Sequence, residues 1–199
     1  MSRTLPMLLL GTLILSSPRA HAGDEQPNRK LKGDFAVAQS SICAQTTAGF
    51  DADGRALGPV TLLTRMIEST NTYGGDGTFS SVGRTLQMNG AATAPGSFPM
   101  NESEFSCSGT YQVNGDGTFT ETSTCSGTVI SGATAGETFN QSAVTIHGQI
   151  RGKVLVLQNT STVTPITLTL SRSGTFIRLC GSSGSAVKVP PRAPDADDE

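Results

Sequence analysis

Few side chains in this sequence combine a catalytic residue type with a catalytic spacing. A serine-type triad would have to use His147, because the other histidine, His21, lies in an N-terminal segment that we expect to be cleaved. In its predicted strand, His147 lies on the face opposite the apolar Val144 and on the same face as Thr145. This position favours a solvent-exposed side chain. The sequence has no Gly-x-Ser-x-Gly motif, and its scattered glutamates offer no pair spaced for acid–base catalysis. We therefore assign no catalytic residue. The sequence does not decide whether the protein is an enzyme, but it favours a protein without catalytic activity.

The four cysteines indicate disulfide bonds rather than a metal site. Cys43, Cys107, Cys125 and Cys180 all follow the expected cleavage site, and an even number of cysteines in an exported chain is typical of a disulfide framework. None of them has the Cys-x-x-Cys spacing of a zinc site. Residues 51–54, Asp-Ala-Asp-Gly, lack the further ligands of a calcium-binding loop. We predict no metal and no cofactor.

The segment 107–125 is predicted to form a β-hairpin with a cysteine at each end. Its turn, Asn-Gly-Asp-Gly, consists of residues that tolerate positive φ. A three-residue loop with Gly117 in the left-handed conformation places Cys107 opposite Cys125, whereas a two-residue loop would shift the register and separate them. The sequence Gly-Asp-Gly-Thr-Phe also occurs at 75–79, which predicts a second hairpin of the same kind.

The remainder of the chain predicts an all-β fold of successive antiparallel strands. Short alternating segments are separated by glycine- and proline-containing turns, and we find no segment with a sustained helical period. Eight or nine strands in a meander leave two bare edges unless the sheet closes, and closure brings the first and last strands together. Cys43 and Cys180 lie on those strands. We therefore predict a closed barrel with disulfide bonds Cys43–Cys180 and Cys107–Cys125, with a two-sheet β-sandwich as the alternative.

The first residues have the features of a signal peptide. A basic Arg3, an apolar stretch too short to span a membrane, and an Ala-His-Ala cleavage site follow one another. We expect a signal peptide at 1–22, a flexible leader at 23–33, a single barrel domain at 34–189 and a disordered acidic tail at 190–199. The protein is therefore expected to be secreted or periplasmic, with no membrane span after cleavage. The formal net charge of −2 argues against a nucleic-acid partner, and the oligomeric state is left open.

Several motifs follow one another in a fixed order along residues 35–182. They are Cys43 in an early strand, Gly-Asp-Gly-Thr at 75–78, Gly-Asp-Gly-Thr-Phe at 115–119, and Phe-Ile-Arg-Leu-Cys at 176–180. This layout resembles a group of small exported bacterial β-barrel proteins of unassigned role. More loosely, it is similar to calycin-type barrels, with lipocalin-like and allene oxide cyclase-like folds. The resemblance implies a calycin-like barrel and is uninformative about activity.

A small closed barrel is either filled with side chains or holds one small ligand. The residues expected to line the interior and contact such a ligand are Met66, Tyr73, Phe79, Leu86, Met88, Tyr111, Val113 and Phe119. Tyr111 is of particular interest, because a buried hydroxyl needs a hydrogen-bond partner that a ligand could supply. We expect binding of a small apolar or amphipathic molecule, through an opening near residues 90–104.

Two alternatives belong to other classes of function. One is a structural or interaction module of the cell envelope, with a filled core and an exposed apolar patch at Leu63 and Ile67. The other is a barrel cyclase or isomerase that shapes its substrate in the interior, which would need polar groups that converge there.

Overall fold

A computed structural model describes residues 27–90, 100–159 and 164–191 of the chain. A short 3-10 helix at Pro27–Lys30 precedes nine strands. The strands are β1 (Lys32–Thr46), β2 (Thr61–Gly74), β3 (Thr78–Asn89), β4 (Met100–Val113), β5 (Thr118–Ser131), β6 (Thr138–Arg151), β7 (Val154–Asn159), β8 (Ile166–Leu170) and β9 (Gly174–Lys188). Within the described ranges, no helix is long and apolar enough to cross a membrane.

The strands follow one another around a closed antiparallel barrel. Each strand from β1 to β6 pairs with the next, and β9 pairs with both β7 and β1, so that eight strands complete the ring. The additional strand β8 pairs with β6 and β9, which are also the two neighbours of β7. It pairs with a different part of each of these strands. The predicted all-β fold and closed meander are therefore confirmed, and the strands do not form the alternative sandwich.

Both predicted disulfide bonds are present. Cys43 lies directly opposite Cys180 in the β1–β9 pairing, with an S–S distance of 2.09 Å. Cys107 lies opposite Cys125 in the β4–β5 hairpin, with an S–S distance of 2.04 Å. The first bond joins the two strands that close the barrel, and the second lies within one hairpin. Such a framework fits a protein that folds outside the reducing cytoplasm.

The central hairpin has the predicted register. Val113 pairs with Phe119, and Gly117 has a left-handed φ of 83°. The Asp116 carboxylate accepts hydrogen bonds from the backbone N–H of Thr118 at 2.9 Å and from its hydroxyl at 2.7 Å. The turn before β3 repeats this arrangement with a second Asp and Thr pair, as the repeated sequence predicts. Local turn chemistry therefore sets the register of both hairpins.

Strand β6 contains an irregularity that the sequence did not predict. Ser123 pairs with Val144, but Cys125 pairs with Gln141, so β6 carries one extra residue between these two pairs. The bulge changes which residues face inward, because a strand without it would place Gln141 and Val144 on opposite faces. Both side chains line the barrel interior.

The end of the barrel formed by the β2–β3, β4–β5 and β6–β7 turns is filled with apolar side chains. The buried residues of this core are Leu31, Phe35, Val37, Tyr73, Phe79, Tyr111, Val113, Phe119, Leu155, Leu157 and Ala186. The ring of Tyr73 lies at the centre, 5.4 Å from that of Phe79 and 5.2 Å from that of Tyr111. Aromatic pairs at such distances add about 0.5–1.5 kcal/mol each beyond their buried area.

Residues 27–33 do not form the flexible leader that we expected. Leu31 is fully buried in the core, and its carbonyl accepts a hydrogen bond of 2.7 Å from the Tyr111 hydroxyl. The side-chain oxygen of Asn28 accepts a hydrogen bond from the backbone N–H of Val113 at 2.9 Å. These contacts hold the 3-10 helix against the filled end, a tertiary effect that local composition does not reveal. The predicted signal peptide and most of the predicted tail lie outside the described residues.

A substitution at the glycine opposite Phe119 tests how closely the side chains at the filled end of the barrel are packed. A methyl group on Gly148 would overlap the ring of Phe119, which is 1% exposed. Gly148→Ala is therefore expected to lower the free energy of unfolding by about 1–3 kcal/mol, because a close-packed core cannot take up the added volume. Gly181→Ala in β9 is the matched control, since no atom lies within 4 Å of its methyl position. Urea unfolding of both variants measures the difference, and equal effects would contradict it.

Candidate functional site

The barrel interior beyond the filled core is open. A cavity of about 110 Å³ lies next to the core, and a second of about 300 Å³ lies toward the opposite end. Both are lined by Arg65, Thr85, Phe139 and Gln141, so the two cavities lie next to each other along the barrel. Clefts and cavities that bind small ligands typically have volumes of about 300–1,000 Å³, so the outer cavity is at the lower end of this range.

The outer cavity lies beside the segment predicted to flank the opening. Asn89, Asn101 and Ser103 contribute to its lining. The loop is shorter than predicted, because β4 already begins at Met100. Its residues 91–99 lie outside the described residues.

The eight predicted lining residues divide into three groups. Tyr73, Tyr111, Val113 and Phe119 belong to the close-packed core, and Phe79 lies in that core and also lines the inner cavity. Met66, Leu86 and Met88 belong to the other face of the sheet from the inward Arg65, Thr85 and Gln87, and Met66 is 54% exposed. These three residues therefore do not line the interior, because inward and outward side chains alternate along a strand. Whether any of the eight contacts a ligand stays a prediction.

The outer cavity has an apolar wall and a polar wall. The apolar side chains come from β5, β6, β8 and β9 and are Val129, Phe139, Leu168, Leu170 and Phe176. The polar side chains come mainly from β1 to β4 and include Gln45, Thr61, Gln87, Asn89, Asn101 and Ser103. Such a surface suits a molecule with both an apolar body and a polar group.

Two arginines point into this space from strands β2 and β9. The Nε of Arg178 donates a hydrogen bond of 2.7 Å to Gln45, and its Nη2 donates one of 3.0 Å to Gln87. Gln87 is in turn the cross-strand partner of Arg65. The side chain of Arg178 therefore extends from β9 toward β3 and brings the two guanidinium groups into one layer.

Among the described residues, neither arginine has an acidic partner. The ion pairs in the described part of the chain involve Arg55 and Arg84 on the exterior, and not Arg65 or Arg178. Among the described residues, the Nε of Arg65 and the hydroxyl of Thr85 are buried without any hydrogen-bond partner. Buried polar groups are normally satisfied, so unpaired donors around one cavity indicate a place for another molecule.

Burial lowers the pKa of both guanidinium groups without neutralising them. It lowers the pKa of Arg65 to about 10. Burial, and then the positive charge of Arg65, lower the pKa of Arg178 to about 9. Both side chains therefore keep their charge at neutral pH, and this layer of the interior carries two positive charges.

The inner cavity also contains a buried carboxyl group. Glu121 is 3% exposed, and it accepts a hydrogen bond of 2.7 Å from the Tyr73 hydroxyl. That hydroxyl accepts a hydrogen bond of 3.3 Å from the Asn71 amide. Burial raises the pKa of Glu121 to about 7, and burial together with the Glu121 charge raises the pKa of Tyr73. A carboxyl group that titrates near neutrality can donate or accept a proton.

The Tyr111 hydroxyl does not need a ligand. It donates a hydrogen bond of 2.7 Å to the carbonyl of Leu31 and accepts one of 2.9 Å from the backbone N–H of Gly75. The chain itself therefore supplies the partners that we considered a ligand might provide. Tyr111 fastens the N-terminal segment to the barrel instead of reaching the cavity.

His147 lies on the outer surface, as the alternation predicts. Its Nδ1 is 3.1 Å from the Thr120 hydroxyl, and the side chain is exposed. The outer apolar residues are also placed differently from our expectation, because Leu63 is buried and Ile67 lines the interior. Ile42, Leu62 and Met66 are exposed instead, at 67%, 60% and 54%.

Sequence reasoning missed Arg65, Arg178 and Glu121, although signals for each were present. Arg65 lies between Leu63 and Ile67 in a two-residue period, which places it on their face of the strand. Arg178 is two residues before Cys180, so it shares the face of the closing disulfide. Glu121 is the cross-strand partner of Tyr111, a pairing that follows from the register that places Cys107 opposite Cys125.

A scan against protein-family models, a search of curated proteins and a search of solved structures each find no match to this chain.

Proposed function

We propose that this chain is an exported binding protein that takes a small amphipathic molecule into its barrel. The observation that carries the proposal is the open interior beyond the filled core, which has apolar side chains on one wall and polar side chains on the other. A structural barrel of this size would gain stability by filling that space with side chains. The signal-peptide features at 1–22 and the two disulfide bonds support secretion or a periplasmic location.

The calycin-like resemblance supports the same proposal at the level of architecture. Closed meander barrels with eight strands have an interior wide enough for one small ligand. In this chain, the filled end closes one side of the interior, and the outer cavity leads toward the other end. A ligand would therefore enter at the end that carries residues 89 and 101, opposite the 3-10 helix.

The binding proposal predicts that N-phenyl-1-naphthylamine, a neutral apolar dye, fluoresces more strongly when it is mixed with the protein. Ser123 lines the inner cavity, so Ser123→Leu should fill part of the space and weaken dye binding by about tenfold, a loss typical of a blocked apolar site. Ser126→Leu, on the exposed face of the same strand, is the matched control and should bind like the wild type.

Circular dichroism of both variants checks that the barrel is intact. Absence of a fluorescence change with the wild-type protein would contradict the proposal. Equal binding by Ser123→Leu and Ser126→Leu would also contradict it, because the dye would then bind elsewhere.

The second candidate is an interaction module, and one observation favours it. Ile42, Leu62 and Met66 are exposed apolar residues on the adjacent strands β1 and β2, and the exposed Met100 lies on β4, which β3 separates from β2. Apolar side chains grouped on one outer face are typical of a docking surface. This function does not require an accessible interior, so failure of dye binding to the wild-type protein would favour it over the first proposal.

A further inference from the structure

We infer that Arg65, Arg178 and Thr85 form a binding site for the anionic oxygen group of an amphipathic molecule. The inference rests on the proposed function, because it names the chemical class of ligand that the barrel takes. The group would be a carboxylate, a sulfonate or a phosphate, since all three accept hydrogen bonds from guanidinium groups.

The two arginine side chains bring positive charge into the barrel interior. Two guanidinium groups line one cavity, and no ion pair in the described part of the chain neutralises either of them. The two internal segments outside the described ranges, 91–99 and 160–163, contain no acidic residue in the sequence. The formal net charge of the chain is −2, so the positive layer is a local feature of the interior and not part of a basic surface. Buried charges of one sign are normally paired or bound to a ligand.

The arginine layer also contains hydrogen-bond donors that have no partner among the described residues. Arg178, 5% exposed, uses its Nε and Nη2 for two glutamine side chains, and a guanidinium group has five N–H donors. The Nε of Arg65 and the hydroxyl of Thr85 have no partner among the described residues, and Thr85 is 3% exposed. The unpaired donors of Arg65 and Thr85 therefore belong to residues that line both cavities, and Arg178 lines the outer one.

Apolar side chains on both sides of the arginine layer favour a ligand with an apolar body. The arginine layer lies between the inner cavity, where Ile67, Phe105 and Val144 contribute apolar surface, and the apolar wall of the outer cavity. A free inorganic anion would use the donors and leave both apolar surfaces exposed to water. A molecule with an anionic head and an apolar body uses both, since burial of apolar surface contributes about 25 cal/mol per Å².

The glutamines favour a binding role over a purely structural one. Gln45 and Gln87 orient Arg178 by hydrogen bonds but carry no charge. A structural arginine would gain more from a carboxylate at either position, because an unpaired buried charge is destabilising. Neutral orienting groups leave the charge available for an incoming anion.

The test compares two dyes with the same ring system. 1-Anilinonaphthalene-8-sulfonate carries an anionic sulfonate, and N-phenyl-1-naphthylamine lacks it. The wild-type protein is expected to bind the sulfonate dye more tightly. Arg65→Gln and Arg178→Gln should each weaken binding of the sulfonate dye by at least about tenfold, the usual effect of losing a charge-assisted hydrogen bond, and leave binding of the neutral dye unchanged.

Arg84→Gln is the matched control for the loss of one positive charge. Arg84 is exposed on the outer surface, where it forms ion pairs with Glu102 and Glu104, so this variant should bind both dyes like the wild type. Displacement of the sulfonate dye by octanoate, octyl phosphate and octanol identifies the head group. Octanoate or octyl phosphate should displace the dye at a lower concentration than octanol. Whichever of the two anions competes more strongly identifies the anionic group that the site prefers.

Thermal unfolding separates a binding role from a structural one. If the arginines serve a ligand, the double variant Arg65→Gln/Arg178→Gln should melt at the same temperature as the unliganded wild type or a few degrees higher, because two unpaired charges are removed. A large fall in the melting temperature, or sulfonate binding that the arginine variants do not weaken, would overturn the inference. If the neutral dye still binds in that case, the proposed function is unaffected. If the wild-type protein binds neither dye, both the inference and the proposed function are contradicted.

Discussion

Replacement of Cys43 and Cys180 by alanine is expected to lower the free energy of unfolding by about 5 kcal/mol, against about 3 kcal/mol for Cys107 and Cys125. The difference follows from the sequence separations of 137 and 18 residues, because a longer closed loop removes more conformational entropy from the unfolded chain. Small domains are stable by only about 5–15 kcal/mol, so loss of the first bond is expected to leave a barely stable barrel.

Urea unfolding without reductant measures both effects. Each double alanine variant removes a bond between two directly opposed residues of adjacent strands, so the two variants control for each other in local geometry. Equal losses of stability would contradict the loop-length argument. A larger loss for Cys107 and Cys125 would indicate that the hairpin, and not the closing strand pair, limits the stability of the barrel.

The closing disulfide also explains why the barrel could be predicted from the sequence. Turn residues such as Gly117 have steric requirements that act within a few positions, so the hairpin and its register follow from local chemistry. An antiparallel meander with unpaired edges and a cysteine near each end has few ways to close. Cys43 and Cys180 therefore provided long-range information that is usually absent from a single sequence.

The candidate site could be predicted only in part, and the reason is geometric. Alternation shows that Arg65 and Leu63 share a strand face, but not how far along the barrel each lies relative to Arg178. That position depends on the stagger between strands, which arises only when the sheet closes. The extra residue in β6 adds a second uncertainty, because it reverses the alternation between Gln141 and Val144.

The same geometry explains why three predicted lining residues are on the outside. Met66, Leu86 and Met88 are apolar, and composition alone favours the interior for such side chains. Their strands, however, place Arg65 and Gln87 inward, since the alternation allows only one of the two sets to face the cavity. A polar inward set at the expense of apolar residues is expected where a barrel binds a ligand instead of filling its own core.

The arginine layer and the Glu121 carboxyl group divide the interior into two electrostatic zones. Arg65 and Arg178 provide permanent positive charge toward the outer cavity. Glu121 adds a titratable group next to the filled core, where Tyr73 and Asn71 form its hydrogen-bond network. The interior is therefore more positive at acidic pH, when Glu121 is protonated.

Glu121 is expected to make the protein less stable as the pH rises from about 4.5 to about 7. Burial raises its pKa to about 7 in the folded state, whereas the carboxyl group of an unfolded chain has a pKa of about 4.3. The folded state therefore holds the proton more tightly, and this contribution to stability is complete below about pH 4.3 and lost as the pH passes through about 7. The shift corresponds to roughly 4 kcal/mol.

Glu121→Gln should abolish this dependence, because the amide oxygen can accept the Tyr73 hydrogen bond without ionising. At pH 8, the variant is expected to be more stable than the wild type by roughly 4 kcal/mol, and below pH 4.3 the two should be nearly equal. Urea unfolding at several pH values between these limits measures the difference. Glu68→Gln, at an exposed position of β2, is the matched control and should keep the wild-type profile. A Glu121→Gln variant whose stability follows the wild type across this range would show that the carboxyl group does not titrate inside the barrel.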